Sequence, residues 1–422
     1  MDTGRASIER PNESGSRVGD DMRETGQTFE DVDWDALAGG RTRPGTRTLA
    51  YAIGVGLVAL TYLYDVFVVG SRPTFIAVGP TVDLGVFLVT PMTWDLTRLD
   101  WLFVLSLLTF ACYVVWPLAV DETLRRRIWL ELRARPVALV SLCYLLVVFL
   151  VGLFGPFLWS PSVNLSHSHQ PPVFFSGPPQ HASPCVGPET RTSCYGTMQY
   201  PLGTDPFGYD MWDLLVSGAH VAVKVSLITA TIIVPVATLV GSVAGYVGDR
   251  VDSALMGYVD VQQTVPAFVA YIVLSYWGRS LFLFVLVFGL LSWGGLARLV
   301  RSEAVQRRQA GYVRAAKSAG ASDLSILGRH VVPNVSNAVL TGLTRKVPVI
   351  ILVEAAISYM NLNDIMVVSW GETIASGLHG SFAYFPEVWW PVVFPVVALT
   401  GTVVACSIVG DALRDALDPR TE

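Results

Sequence analysis

The residues of this 422-residue chain best placed to do chemical work lie in one basic stretch, Arg301 to Asn334, reading RSEAVQRRQAGYVRAAKSAGASDLSILGRHVVPN. Gln309 to Ala319 has the pattern of one short helix, and Gly320 suits the position just past its C-terminus. Ser322 and Asp323 can then cap a second helix that ends before Pro333. Two short helices joined by a bend make a compact knob. The plain alternative is a connecting loop, but 34 residues of helix-patterned sequence is long for one.

Other reactive side chains are scattered. Asp260 and Glu354 fall inside apolar runs, where an acid either lines a path or bonds to a neighbouring helix or backbone. Lys224 and Asp65, near the ends of such runs, read as snorkelling side chains. His167, His169 and His181 precede Cys185 in a Pro-, Ser- and Gly-rich segment, as transition-metal ligands or as solvated loop histidines. Cys185 and Cys194 can close a short loop on an oxidising side or stay free, whereas Cys112, Cys143 and Cys406 lie in apolar runs.

Much chemistry is missing. A phosphate-cradling P-loop needs Gly immediately before its Lys, yet the three lysines follow Val223, Ala316 and Arg345. The zinc-protease HExxH and the serine-nucleophile GxSxG patterns do not occur. A GxGxxA at Gly54, Gly56 and Ala59 lies within an apolar run and reads as close helix packing.

The elements that must position these residues are membrane helices. Hydrophobic residues make up 52% of the chain and charged ones 15%, which excludes disorder and an ordinary soluble domain. A net charge of -5 argues against a nucleic-acid partner. With about 20 apolar residues needed per crossing, eight spans are expected. They run from Leu49 to Val69, Trp101 to Val120, Val137 to Trp159, Val221 to Val247, Ser253 to Trp277, Leu281 to Val300, Ala338 to Met360 and Val388 to Gly410. Phe75 to Thr90 is short and interrupted by Pro80 and Asp83, so it reads as interfacial or re-entrant. Of the 29 Lys and Arg, 24 fall on the side that holds both termini, which places both termini in the cytoplasm and the chain in the lipid bilayer of the cell membrane.

The domain plan follows: a polar cytoplasmic tail over 1–48, an extension with two spans and an interfacial segment over 49–134, a first core span over 135–160, an extracellular loop over 161–218, and a core over 219–422 that contains the knob at 301–334. The tail lacks the apolar stretch and cleavage site of a signal peptide.

Tyr312-Val313-Arg314-Ala315-Ala316, then Gly320 and Pro333, resemble the EAA loop of ATP-binding-cassette importer permeases. Arg314 stands where that family usually has Glu. Leu202-Gly203-Thr204-Asp205 with Gly208 and Asp210 is similar to the LGTDxxGRD signature of the C-type permease of dipeptide and oligopeptide importers, with Tyr209 in place of Arg. Gly245-Tyr246 to Asp252, Asp260 to Pro266, Ala297 to Arg301, Ser369-Trp370-Gly371 and Gly410 to Arg420 extend the resemblance over roughly Arg135 to Arg420.

The resemblance implies an all-α polytopic protein, a six-span importer core plus two extra N-terminal spans. It implies a transporter subunit rather than an enzyme, with no cofactor or metal of its own. It would pair with a second permease, two cytoplasmic ATPase subunits and an extracellular solute-binding protein. Tyr312, Arg314, Ala315, Ala316, Gly320, Ala321, Asp323 and Pro333 would carry the ATPase coupling. Asp260 and Glu354 are candidates for the translocation path, and Cys185 with Cys194 for a disulfide. Family members also carry nickel or oligosaccharides. An ion-coupled secondary carrier and a membrane scaffold are the readings from other classes.

Overall fold

Backbone amides have no water to bond in a bilayer, so apolar runs of this length satisfy themselves as helices. The computed structural model describes residues 45–69, 75–76, 82–83, 88–89, 93–94, 96–158, 163–182, 184–363, 368–381 and 384–417. Residues 1–49 and 50–422 form two units. Of the first, the described part is the start of α1, and the tail expected over 1–48 otherwise lies outside the described residues.

Helix α1 (Thr46–Tyr64) runs on through a π-turn, and α2 (Arg98–Phe110) runs through another into α3 (Trp116–Val120). Tyr51 bonds Thr109 at 3.2 Å, and Asp65 accepts from the Trp101 indole at 3.0 Å. Asp65 is therefore a helix-pairing acceptor rather than a snorkelling acid. Between α1 and α2 lie two antiparallel ladders, β1 (Phe75–Ile76) with β4 (Thr93–Trp94) and β2 (Val82–Asp83) with β3 (Leu88–Val89), of which β1, β2 and β3 fall within the expected interfacial segment. The rest of Phe75 to Thr90 lies outside the described residues.

Amphipathic α4 (Glu122–Ala134), capped by Asp121, leads into α5 (Pro136–Leu158). A loop with one short ladder, β5 (Ser176–Gly177) on β6 (Cys194–Tyr195), precedes α6 (Met211–Val247). At 37 residues, α6 is about 55 Å long. Then follow α7 (Asp249–Thr264), α8 (Ala267–Ser275), α9 (Leu281–Leu291), α10 (Gly294–Arg308), α11 (Gly311–Ser318), α12 (Asp323–Ile326), α13 (Ser336–Tyr359), α14 (Trp370–Ser381) and α15 (Trp390–Leu417).

Among the described residues, six helical stretches are long and apolar enough to cross a membrane: Thr46–Val69, Arg98–Val120, Pro136–Leu158, Met211–Val247, Leu281–Arg308 and Trp390–Leu417. The other two expected spans differ in kind. Ser253 to Trp277 is broken between α7 and α8 at Val265 and Pro266, because proline cannot donate to the helical ladder and pushes its predecessor out of the helical region. Helix α13 is continuous, but it carries Arg345, Lys346 and Glu354. The expected boundary at Val300 is also displaced. After a break at Ser292 and Trp293, α10 passes through Arg301 to Arg308, so the knob starts at Gln309.

The main core gathers Val225, Ile228, Ile233 and Ala237 of α6, Phe284 and Val285 of α9, and Ala297, Val300 and Ala304 of α10. The α6–α10 approach depends on small residues. A Cβ on Gly241 would lie 2.4 Å from the Ala297 carbonyl oxygen, and one on Gly245 would lie 2.7 Å from Ala304 Cβ.

Candidate functional site

The knob is built from α10 outward. Gln309 and Ala310 end one helix and open the next, and α11 turns Val313 inward while Tyr312, Arg314, Ala315 and Lys317 remain exposed. Its end is a Schellman turn: Ala321 N–H donates to Ala316 C=O, and Gly320 N–H to Lys317 C=O, both at 3.1 Å. That turn requires a left-handed residue, and Gly320 supplies it at φ +82°. Ser322 Oγ then caps α12 by accepting from Ser325 N–H.

The second helix, expected to end before Pro333, does end before it, at Ile326, but Pro333 is not the cause and lies within a continuing helical path. A π-turn (Leu327–Val331) and a 3₁₀ turn (Val332–Val335) carry the chain from α12 into α13, with Pro333 early in the 3₁₀ turn, where a missing N–H costs little. Val313, Ile326, Val331 and Val335 are buried in the main core. Leu324, by contrast, is 83% exposed. The knob is thus anchored by aliphatic side chains and presents an outer face of Tyr312, Arg314, Ala315, Lys317 and Leu324.

One polar contact ties the knob to α6 and a second joins α10 to α7 beside it, and sequence reading did not find either. The Tyr246 hydroxyl, at the end of α6, donates to Asp323 Oδ1 at 2.7 Å. Arg301 of α10 forms a two-pronged pair with Asp252 of α7, and hydrogen bonding from Arg301 holds the Asp252 carboxyl below the usual carboxylate range.

The two intramembrane acids have partners of their own. Asp260 is not enclosed: it pairs with Arg298, and both side chains are substantially exposed. Glu354 is buried, accepting from Ser358 Oγ at 2.7 Å and from Asn363 Nδ2 at 3.4 Å. Asp260 thus bonds across to α10, whereas Glu354 bonds Ser358 of its own helix and the side chain of Asn363 just beyond it.

At the opposite end of α6 from the knob, the Leu202 to Asp210 motif forms a tight turn. Gly203 and Gly208 both take φ +80°. Asp205 Oδ1 accepts from Phe207 N–H at 2.9 Å and Tyr209 N–H at 2.8 Å, and Asp210 caps α6 by accepting from Trp212 N–H. Thr204 accepts from Gln170 N–H and donates to His167 C=O, while the Trp390 indole donates to Thr204 C=O. The motif therefore ties the loop to the starts of α6 and α15.

Burial pushes the Asp205 carboxyl up to about 6, outweighing the backbone hydrogen bonds from Tyr209, Phe207 and Gly208. A carboxyl raised on folding contributes most stability below its unfolded value near 4 and loses it as pH rises through 6. Asp205→Asn is expected to keep the turn and flatten that pH dependence, because an amide oxygen accepts the same bonds. Asp205→Ala strands the donors, at about 2 to 3 kcal/mol. Thermal unfolding at pH 4.5 and pH 7.5 checks both, and equal damage from the two substitutions would contradict this account.

Cys185 and Cys194 form a disulfide with Cα atoms 5.8 Å apart. Gln170 braces that loop, accepting from Val186 N–H and donating to Pro184 C=O. Peptide mapping by mass spectrometry without reductant is expected to recover the linked pair, a closure worth about 2 to 3 kcal/mol. Complete alkylation of both thiols before reduction would contradict it. With Cys185 so used, the histidines go elsewhere: His167 bonds the Tyr200 hydroxyl, His169 packs on Tyr384, and His181 bonds Glu387. Among the described residues, no group of three or more His, Cys, Asp or Glu is arranged to hold a metal ion.

Residues 237–422 match the family described as binding-protein-dependent transport system inner membrane component, and residues 123–172 match the N-terminal transmembrane domain of oligopeptide transport permease C. The chain is 34% identical over 225 residues to a putative peptide transport system permease protein of Brucella suis, covering 53% of this chain and 74% of that protein. It is 29% identical over 297 residues to the dipeptide transport system permease protein DppC of Bacillus subtilis, covering 69% and 84%. It is 30% identical over 221 residues to the oligopeptide transport system permease protein OppC of Haemophilus influenzae, covering 52% and 70%. The match at 123–172 starts before the expected core boundary at 135 and takes in most of α4.

Proposed function

The chain belongs to the family of binding-protein-dependent transport system inner membrane components, and from that membership we propose that it is one permease subunit of an ATP-driven peptide importer. The observation that carries this reading is the knob: a short amphipathic helix, a glycine turn and a capped second helix, anchored by aliphatic side chains and presenting Tyr312, Arg314, Ala315 and Leu324 outward. Such a projection suits a groove on a separate cytoplasmic ATPase. The lack of a phosphate-binding loop in the sequence fits a division of labour in which partners hydrolyse ATP.

In this proposal the chain pairs with a second permease, two ATPase subunits and an extracellular solute-binding protein that delivers the cargo. Closure of the ATPases pushes α11 and α12, and the aliphatic anchor together with the Tyr246–Asp323 bond carries that push to α6. Peptides are the proposed cargo, because that is what the named relatives are described as transporting. Arg314 replaces the family's usual acid, so docking here rests on shape and on the exposed Tyr312 and Leu324 rather than on that carboxylate.

The proposal puts the knob and both termini in the cytoplasm of a cell-membrane protein. In intact cells, a single cysteine introduced at Gln309 is expected to resist an impermeant maleimide that labels one at Ser168. Labelling at Gln309 would reverse the orientation and remove the knob from the ATPases.

A further inference from the structure

Lys224 lies in the first half of α6 with its side chain buried rather than snorkelling, where an ammonium without a partner would be strongly unfavourable. Its partner comes from the N-terminal extension: Asp100, at the start of α2, forms an ion pair with it. Asp100 is itself held in place. Its Oδ2 accepts from Thr97 N–H at 2.9 Å and Thr97 Oγ1 at 2.6 Å in a capping box, leaving Oδ1 for the ammonium.

One turn further along α2, the Phe103 ring lies 5.8 Å from the Lys224 nitrogen and meets the His220 ring edge-on at 5.7 Å. His220 is oriented by a 2.7 Å bond to the Gly152 carbonyl of α5. Leu99 and Phe103 enter the same apolar cluster as Val221 and Val225 of α6. Asp100 and Lys224 both lie outside the two stretches matched by the family models.

We propose that helices α1, α2 and α3 form a lateral clamp built into this chain, locked onto α6 through the Asp100–Lys224 pair. Lys224 is then a docking residue for that clamp rather than a contact for cargo. The clamp seizes the helix whose other end holds the knob through Tyr246. It thereby fixes α6 against the extension from within the chain, where the core would otherwise present a buried cation to lipid.

Lys224 and Asp100 also line a cavity of about 640 Å³, so a cargo contact is the role the test must separate. The test uses the full-length chain, with thermal unfolding of the purified protein and ATP-dependent uptake by the assembled importer as readouts. Lys224→Asp, which puts two carboxylates together, is expected to lower Tm by on the order of 10 °C. Adding Asp100→Lys should recover at least half of that loss, the remainder reflecting the broken capping box. The neutral pair Asp100→Asn with Lys224→Met keeps the cap and removes both charges, and it should unfold near the wild-type temperature and still support uptake. A wild-type Tm for Lys224→Asp, or no recovery in the reversed pair, would overturn the clamp. A neutral pair that is stable but inactive would instead place Lys224 on the cargo path and overturn the assignment of its role.

Discussion

Gly320→Val is expected to abolish uptake and ATP hydrolysis by the assembled importer while leaving the protein in the membrane at near-normal levels. The physical cause is confined to one dihedral. Gly320 has φ +82°, and a Cβ added there meets nothing within 4 Å, so crowding plays no part and backbone strain acts alone. A β-branched residue held in the left-handed region costs on the order of 1 to 3 kcal/mol. The Schellman turn can escape that cost by unwinding, which releases the bonds from Ala321 to Ala316 and from Gly320 to Lys317. The outer face of α11 then loses its set relation to α12, whereas the spans are stabilised by contacts elsewhere. Gly320→Ala should show the same defect more weakly. Immunoblots of membranes alongside uptake rates check the prediction, and wild-type transport by Gly320→Val would remove the knob from the mechanism.

Gly241→Leu is expected to act in the opposite way, by removing the folded protein. Even a bare Cβ at that position would approach the Ala297 carbonyl oxygen to 2.4 Å and Val300 Cβ to 2.8 Å. Backbone cannot yield there without separating α6 from α10, and Gly245, one turn on, is nearly as tight against Arg301 C=O at 2.7 Å. Overpacking with mobile neighbours costs about 1 to 3 kcal/mol, and a rigid backbone contact lies at or above the top of that range. Membrane levels should fall several-fold and the remaining protein should unfold at lower temperature. A normally abundant, stable Gly241→Leu protein would show that the α6–α10 contact is looser than described. Together the two glycines separate a position that matters for coupling from one that matters for assembly.

Local chemistry carried part of this structure in plain view. Apolar length marked the crossing helices, Gly320 announced a left-handed C-terminal residue, and Ser322 announced a cap, because each depends on residues within a turn of itself. What sequence reading missed depends on neighbours far along the chain. Lys224 and Asp100 are 124 positions apart, Tyr246 and Asp323 are 77, and Arg298 and Asp260 are 38, so nothing in the local pattern pairs them.

Helix ends failed for a related reason. Apolarity stops near Val300 but helix does not, since Arg301 is held by Asp252 and Ala304 packs on α6, letting α10 run to Arg308. Pro333 has the look of a terminator, yet it enters a 3₁₀ turn that tolerates it. Of the candidate site residues, the knob set lies together on one feature, whereas Asp260 and Glu354 have separate partners on different helices.

In the proposed function this chain couples a separate ATPase to peptide movement. The most direct test of that coupling reconstitutes the chain with a second permease, two ATPase subunits and the solute-binding protein in liposomes, with peptide and binding protein on one side and ATP on the other. Peptide accumulation is expected to require both ATP and the ATPase subunits and to disappear with Gly320→Val. Accumulation driven by an ion gradient alone, with the ATPase subunits omitted, would contradict that coupling.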